Sequence, residues 1–161
     1  KGTWVCTNPF PPASYFDSLR LRLGELKASM VFEARLVMEV PMTEYAAERA
    51  TPEDLAAIQA ALEAMEGSAG EDGSFARADF AFHCSIAQAS HNDLLVQFYQ
   101  LASGMLSEVI EELDSLPGVK EEAIAAHRAV AQAVVARDAR RARERALDHL
   151  VRIGRLIHRF A

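Results

Sequence analysis

Apolar positions recur every three or four residues along most of the chain, with polar residues between them, and this pattern predicts helices almost throughout. From Ser14, residues Tyr15, Phe16, Leu19, Leu23 and Leu26 form one such stripe, weakened at Gly24. Ser29 is placed to cap a second helix, with Phe32, Leu36 and Val40 on one side and Arg35 and Glu39 four apart. Pro41 should kink or interrupt that helix, because proline removes a hydrogen bond and crowds the preceding turn; helical character resumes from Tyr45 to Arg49. Thr51-Pro52-Glu53-Asp54 is the clearest helix start: a capping threonine, proline in the first turn, then acids. Leu55, Ile58, Leu62 and Met65 follow as the buried stripe, Gly67 as the stop, and Ser68 to Gly73 as a flexible loop.

A further helix is expected from Ser74 to Ala89, packing through Phe75, Phe82 and Ile86, and broken by Ser90-His91-Asn92. The next, from Asp93 to Leu113, should bury Leu94, Leu95, Phe98, Leu101, Leu106, Val109 and Ile110, and Pro117-Gly118 ends it. Val119 to Ala136 forms another helix, and Asp138 caps the last, which ends near Phe160. Lys1 to Cys6 alone has a short β-like character, and the proline-rich stretch over 7–13 reads as an extended linker. Six or seven helices with short connections make an all-α, antiparallel bundle in which sites are built between facing helices.

Length and composition agree with one helical domain. At 161 residues the chain can bury about two-thirds of its unfolded surface. Cys6 and Cys84 are too far apart for a metal-type spacing and suggest neither a disulfide framework nor a zinc ribbon, so reduced thiols in a cytoplasm are expected. No secretory or bilayer-length apolar run is present, which points to a soluble, cytoplasmic protein with no membrane partner. A net charge of −6 disfavours a free-standing nucleic-acid binder. The arginine-rich run from Arg137 to Arg159 reads as a solvated face or subunit contact in preference to a phosphate-binding stripe.

The candidate chemistry centres on Asp79-Phe80-Ala81-Phe82-His83. Residues four apart share a helix face, so the Asp79 carboxylate and the His83 imidazole can converge. His127 and His149 lie on later helices among small and aliphatic neighbours, and four groups could then meet at one point. One carboxylate and three imidazoles suit a divalent ion such as Zn, Ni, Mn or Fe and not the all-oxygen shells of Ca or Mg. The alternative is an exposed Asp–His pair worth about 0.2–0.5 kcal/mol. His91 and His158 are weaker candidates, one beyond a helix end and the other on the far side of the last helix. Cys84 reads as a small buried apolar residue.

The succession Arg35-x-x-x-Glu39, Ala46-Ala47-Glu48-Arg49-Ala50, Asp79-x-x-Phe82-His83, Ala89-Ser90-His91-Asn92, His127 with Ala133 and Asp138, and Ala146-x-x-His149-Leu150 resembles the C-terminal effector-binding (FCD) domain of FadR-subgroup GntR-type bacterial transcription regulators. The likeness runs from about Ser14 to the end; each motif is weak alone, and their order and spacing are specific together. It implies a helical effector-binding and dimerisation domain over 14–161, with 1–6 as the last wing strand of a winged helix-turn-helix. It further implies a homodimer that binds a small organic acid and alters operator binding through an N-terminal DNA-reading domain not contained in these residues. In metal-containing members an Asp and three His hold a divalent ion, and Asp79, His83, His127 and His149 fill the corresponding positions.

On this view an acid takes a coordination position left to water, and Arg35 donates a charge-assisted hydrogen bond to its carboxylate. Arg35 has the alternative of pairing with Glu39 on the surface, and Asn92 is either an effector contact or a helix cap. Two other classes compete: a metalloenzyme using the same ion on a small carboxylate, and a structural dimerisation module with histidines in its core. The first lacks the Glu-x-x-His pairs of di-iron bundles and any acid-base residue arranged beside the ligands.

Overall fold

The computed structural model describes residues 28–68, 74–103 and 118–160. The expected wing strand, linker and Ser14 helix, Leu106, Val109, Ile110, Pro117 and the side chains of Ser29 and His158 lie outside the described residues. Within them are six helices: α1 (Ala28–Arg49), α2 (Pro52–Gly67), α3 (Ser74–Ala89), α4 (Asp93–Ser103), α5 (Val119–Val135) and α6 (Ala139–Phe160). No strand occurs among the described residues. The architecture is the all-α bundle expected.

Local signals fix most helix ends. Thr51 and Asp54 form a reciprocal capping box, Asp54 N donating to Thr51 Oγ1 (3.1 Å) and Thr51 N to Asp54 Oδ2 (2.8 Å). Gly118 precedes α5 at φ 82°, a left-handed conformation that glycine takes without penalty. At the α5–α6 turn Arg137 is left-handed at φ 58°, and Asp138 N donates back to Ala133 O at 3.1 Å. This is a Schellman closure. Asp138 Oδ1 then accepts from Arg141 N at 2.9 Å, capping α6 as expected.

The interruption offered as one outcome at Pro41 does not occur, and the buried face expected for α4 is corrected. Helix α1 runs through Pro41 without interruption. The carbonyl that Pro41 leaves without a partner belongs to Val37, which is 71% exposed, so water can serve it. In α4, Leu94 (62% exposed) and Phe98 (47%) face outward, while Tyr99 and Ser103 are buried and Leu95 and Val96 pack against the core. Apolar residues sit on both sides of this helix, and packing against α1 and α3 selects the face.

The core joins Met42 and Ala46 of α1, Ile58 and Met65 of α2, Phe82 and Ile86 of α3 and Val134 of α5. Helix α1 packs against α3, α4, α5 and α6, so its inner face looks into the bundle. Near the end of α6, Gly154 permits close approach to α1: a Cβ there would stand 2.5 Å from Phe32 Cε1.

Candidate metal centre

Four helices send polar side chains into this otherwise apolar interior. Arg35, Glu39 and Thr43 follow one another at intervals of four on α1, Asp79 and His83 lie one turn apart on α3, and His127 and His149 come from α5 and α6. All seven are buried. Each is flanked by apolar core positions on its own helix, and those positions turn the polar residues inward.

His83, His127 and His149 each offer a ring nitrogen within 4.8 Å of the others. The closest approach is 2.9 Å, between the Nε2 atoms of His83 and His127. Asp79 Oδ1 lies 3.3 Å from His127 Nε2 and 4.0 Å from His83 Nε2. The structure thus brings three histidines together and sets Asp79 beside two of them. The ring of His149 lies 4.3 Å from that of His127, centre to centre.

The remaining ring nitrogen of His127 defines its tautomer. His127 Nδ1 donates to Ala123 O at 2.7 Å, which leaves Nε2 as a lone pair. Glu39 Oε2 stands 2.8 Å from His83 Nδ1. Oε2 is buried and has no directed hydrogen bond. The bare Nε2 of His127 faces His83 Nε2 at 2.9 Å, within hydrogen-bond reach in the His83 tautomer that carries its proton there.

Burial keeps His127 and His149 neutral. Burial pushes His127 down to about 4, Asp79 opposing and His83 assisting. His149 is held well below its ordinary value, first by burial and then by His127 and His83. Burial alone would raise the Glu39 carboxyl, but Arg35 and then His83 overcome it and bring it down to about 2. Glu39 is held by the Nε of Arg35, and that pair is interior, contrary to a surface pairing. Arg35 also lies over the Tyr99 ring, 5.7 Å from its centre, and Tyr99 in turn stacks on His83 at 5.9 Å.

Beside the histidines is a cavity of about 10 Å³, lined by Glu39, Thr43, His83, His127 and His149 among apolar neighbours. That is room for about one water molecule. His149 also borders an open groove of about 610 Å³ between α5 and α6, whose rim carries Arg145 and Arg152. Asn92 is not part of the cavity wall; its Oδ1 accepts from Leu95 N at 3.3 Å and caps α4. His91 pairs instead with Asp54 at 2.8 Å on the surface. Cys84 is only half-buried, and burial pushes its thiol up to about 11.

Sequence reasoning identified the histidines and missed the parts of Tyr99 and Thr43. The four-residue spacing from Arg35 through Glu39 to Thr43 was a usable signal for the second; nothing local marked Tyr99.

A family model for the FCD domain matches residues 30–152, which include every residue of the cluster. The chain belongs to the FCD domain family. Over 135 residues this FCD domain is 34% identical to the putative L-lactate dehydrogenase operon regulatory protein of Escherichia coli, covering 81% of this chain and 51% of that protein. It is also 34% identical over 113 residues to the HTH-type transcriptional regulator LutR of Bacillus subtilis, covering 70% of this chain and 51% of that one. The chain thus spans about half the length of these relatives, which are named as regulators and not as enzymes. A solved structure of Streptococcus agalactiae GntR shares the fold, with a TM-score of 0.70 at 21% identity over 84% of this chain and 60% of that one. Among the described residues no helix is long and apolar enough to cross a membrane.

Proposed function

We propose that this FCD domain is the ligand-sensing and dimerisation part of a transcription regulator, and that it holds a divalent ion through His83, His127, His149 and Asp79. The observation that carries the reading is the convergence of three buried imidazoles, their ring nitrogens within 4.8 Å of one another, with Asp79 Oδ1 3.3 Å from one of them. Bonds of about 2.0–2.2 Å place neighbouring ligand atoms about 3–3.5 Å apart. The His83–His127 and Asp79–His127 separations, 2.9 and 3.3 Å, fit with small adjustments. Three imidazoles and one carboxylate suit Zn, Ni, Mn or Fe. Glu39, held by Arg35, orients His83 from behind, the usual place for a carboxylate supporting a ligating histidine.

When bound, the ion supplies an open position that attracts the carboxylate of a small organic acid. The protein's own contribution is to exclude water and fix the ligand geometry. A cavity with room for about one water cannot take an acid unchanged. Occupancy therefore favours an opened arrangement of the helices, the differential binding that a sensor requires. In a dimer, with DNA read by a helix-turn-helix unit outside these residues, that opening would be transmitted to operator binding. The relatives' names, one referring to an L-lactate dehydrogenase operon, make hydroxy acids the first candidates.

Metal analysis of protein purified without a histidine tag, followed by thermal-shift titration with hydroxy, keto and sugar acids, tests this. Near-stoichiometric metal and a rise in melting temperature with at least one acid are expected. Metal-free protein that gains nothing from added ions would overturn the reading.

A further inference from the structure

The charge enclosed around the cluster is small enough to count. Among the described residues, the buried side chains that carry a formal charge are Arg35, Glu39 and Asp79. As ligands the three histidines count as neutral, because a metal takes an imidazole only through a bare ring nitrogen. Two carboxylates against one guanidinium leave the interior one negative charge in excess. A divalent cation converts that to one positive charge in excess, and unbalanced charge in a dry interior is costly.

From this count we infer that the site selects ligands by charge, taking a monocarboxylate in preference to a dicarboxylate or a neutral analogue, with Glu39 setting that preference. The inference rests on the metal-bound reading above. A single carboxylate brings the enclosed charge to zero, whereas a second would overshoot it. Glu39 makes the overshoot worse because it stands on the cavity wall with Oε2 lacking a directed hydrogen bond. A second ligand carboxylate would bring its charge toward that of Glu39, on the wall of the same cavity. Arg35 does not relieve the conflict, being already engaged by Glu39 and absent from the cavity wall. Glu39 is thus a specificity-determining residue that acts through charge.

Glycolate, tartronate and glycolamide keep the same hydroxyl and differ chiefly in charge. Zinc-loaded protein, with its metal content measured before and after each run, is titrated with the three by calorimetry. Glycolate is expected to bind at least tenfold more tightly than tartronate or glycolamide. In Glu39→Gln the enclosed charge with zinc rises by one, and the gap between glycolate and tartronate should close or reverse. Should that variant fail to fold, the wild-type ordering decides alone. Tartronate or glycolamide binding as tightly as glycolate, or none of them binding, with zinc retained throughout, would overturn the inference. Protein that holds no zinc would overturn the underlying metal reading as well, and the metal content distinguishes the two failures.

Discussion

Arg35 and Glu39 show how one buried pair serves both stability and the site. Each is nearly inaccessible, and each is tolerable only because the other is present. Glu39→Ala would leave the guanidinium uncompensated, and truncations of this kind cost about 3–5 kcal/mol. Replacing both, as Arg35→Met with Glu39→Leu, removes the two charges together and should cost clearly less. Urea unfolding of the two single variants and the double variant measures the difference; equal losses for Glu39→Ala and the double variant would show that the charges are not coupled. The double variant would also lose the carboxylate that stands against Nδ1 of His83, so it should bind metal more weakly despite being folded.

At the scale of the element, sequence signals were most reliable where the partner is local. The Thr51–Asp54 box and the Asp138 cap depend on residues three apart, and both formed as expected. The Asp79 and His83 spacing placed both groups on one face for the same reason. The phase of α4 was not legible, because Leu94 and Phe98 compete with Leu95 and Tyr99 and only packing across helices decides between them. For the same reason the stacking of Tyr99 on His83, and the route from Arg35 through Glu39 to His83, could not be read from spacing. Asn92 was left between two roles, and Asn92→Ala separates them. As a cap it should cost about 1 kcal/mol in stability and leave ligand affinity unchanged. A tenfold loss of acid binding at unaltered stability would make it a ligand contact. Gly154→Ala tests the α1–α6 contact. In an open helix that change stabilises by about 1 kcal/mol. Here the added methyl meets the Phe32 ring at 2.5 Å, and overpacking of about 1–3 kcal/mol should outweigh the gain. A higher melting temperature in Gly154→Ala would mean that Phe32 yields easily.

Across the whole molecule the cluster makes folding depend on acidity, and a bound ion should change that dependence. His127 is lowered to about 4 in the folded state and His149 lies well below its ordinary value, whereas both titrate near 6.5 in an unfolded chain. Between those limits the unfolded form takes up protons that the folded form refuses. Stability is therefore complete above pH about 6.5 and declines as the pH falls toward 4, at about 1.4 kcal/mol per pH unit for each histidine. Glu39, lowered to about 2, adds a second loss that begins only below the ordinary glutamate range. A metal that binds the folded state alone stabilises it by about 2.7 kcal/mol at a hundredfold excess over its dissociation constant. Protons compete for the same nitrogens, so the metal's contribution fades in the same interval. Melting curves from pH 7.5 to 4.5 should consequently show a higher melting temperature with zinc than with a chelator at neutral pH. The two sets of curves should converge as the histidines of the unfolded chain become protonated and zinc is displaced. Parallel curves, separated by the same interval at every pH, would place the ion on groups that do not titrate there, and His83, His127 and His149 would then not be its ligands.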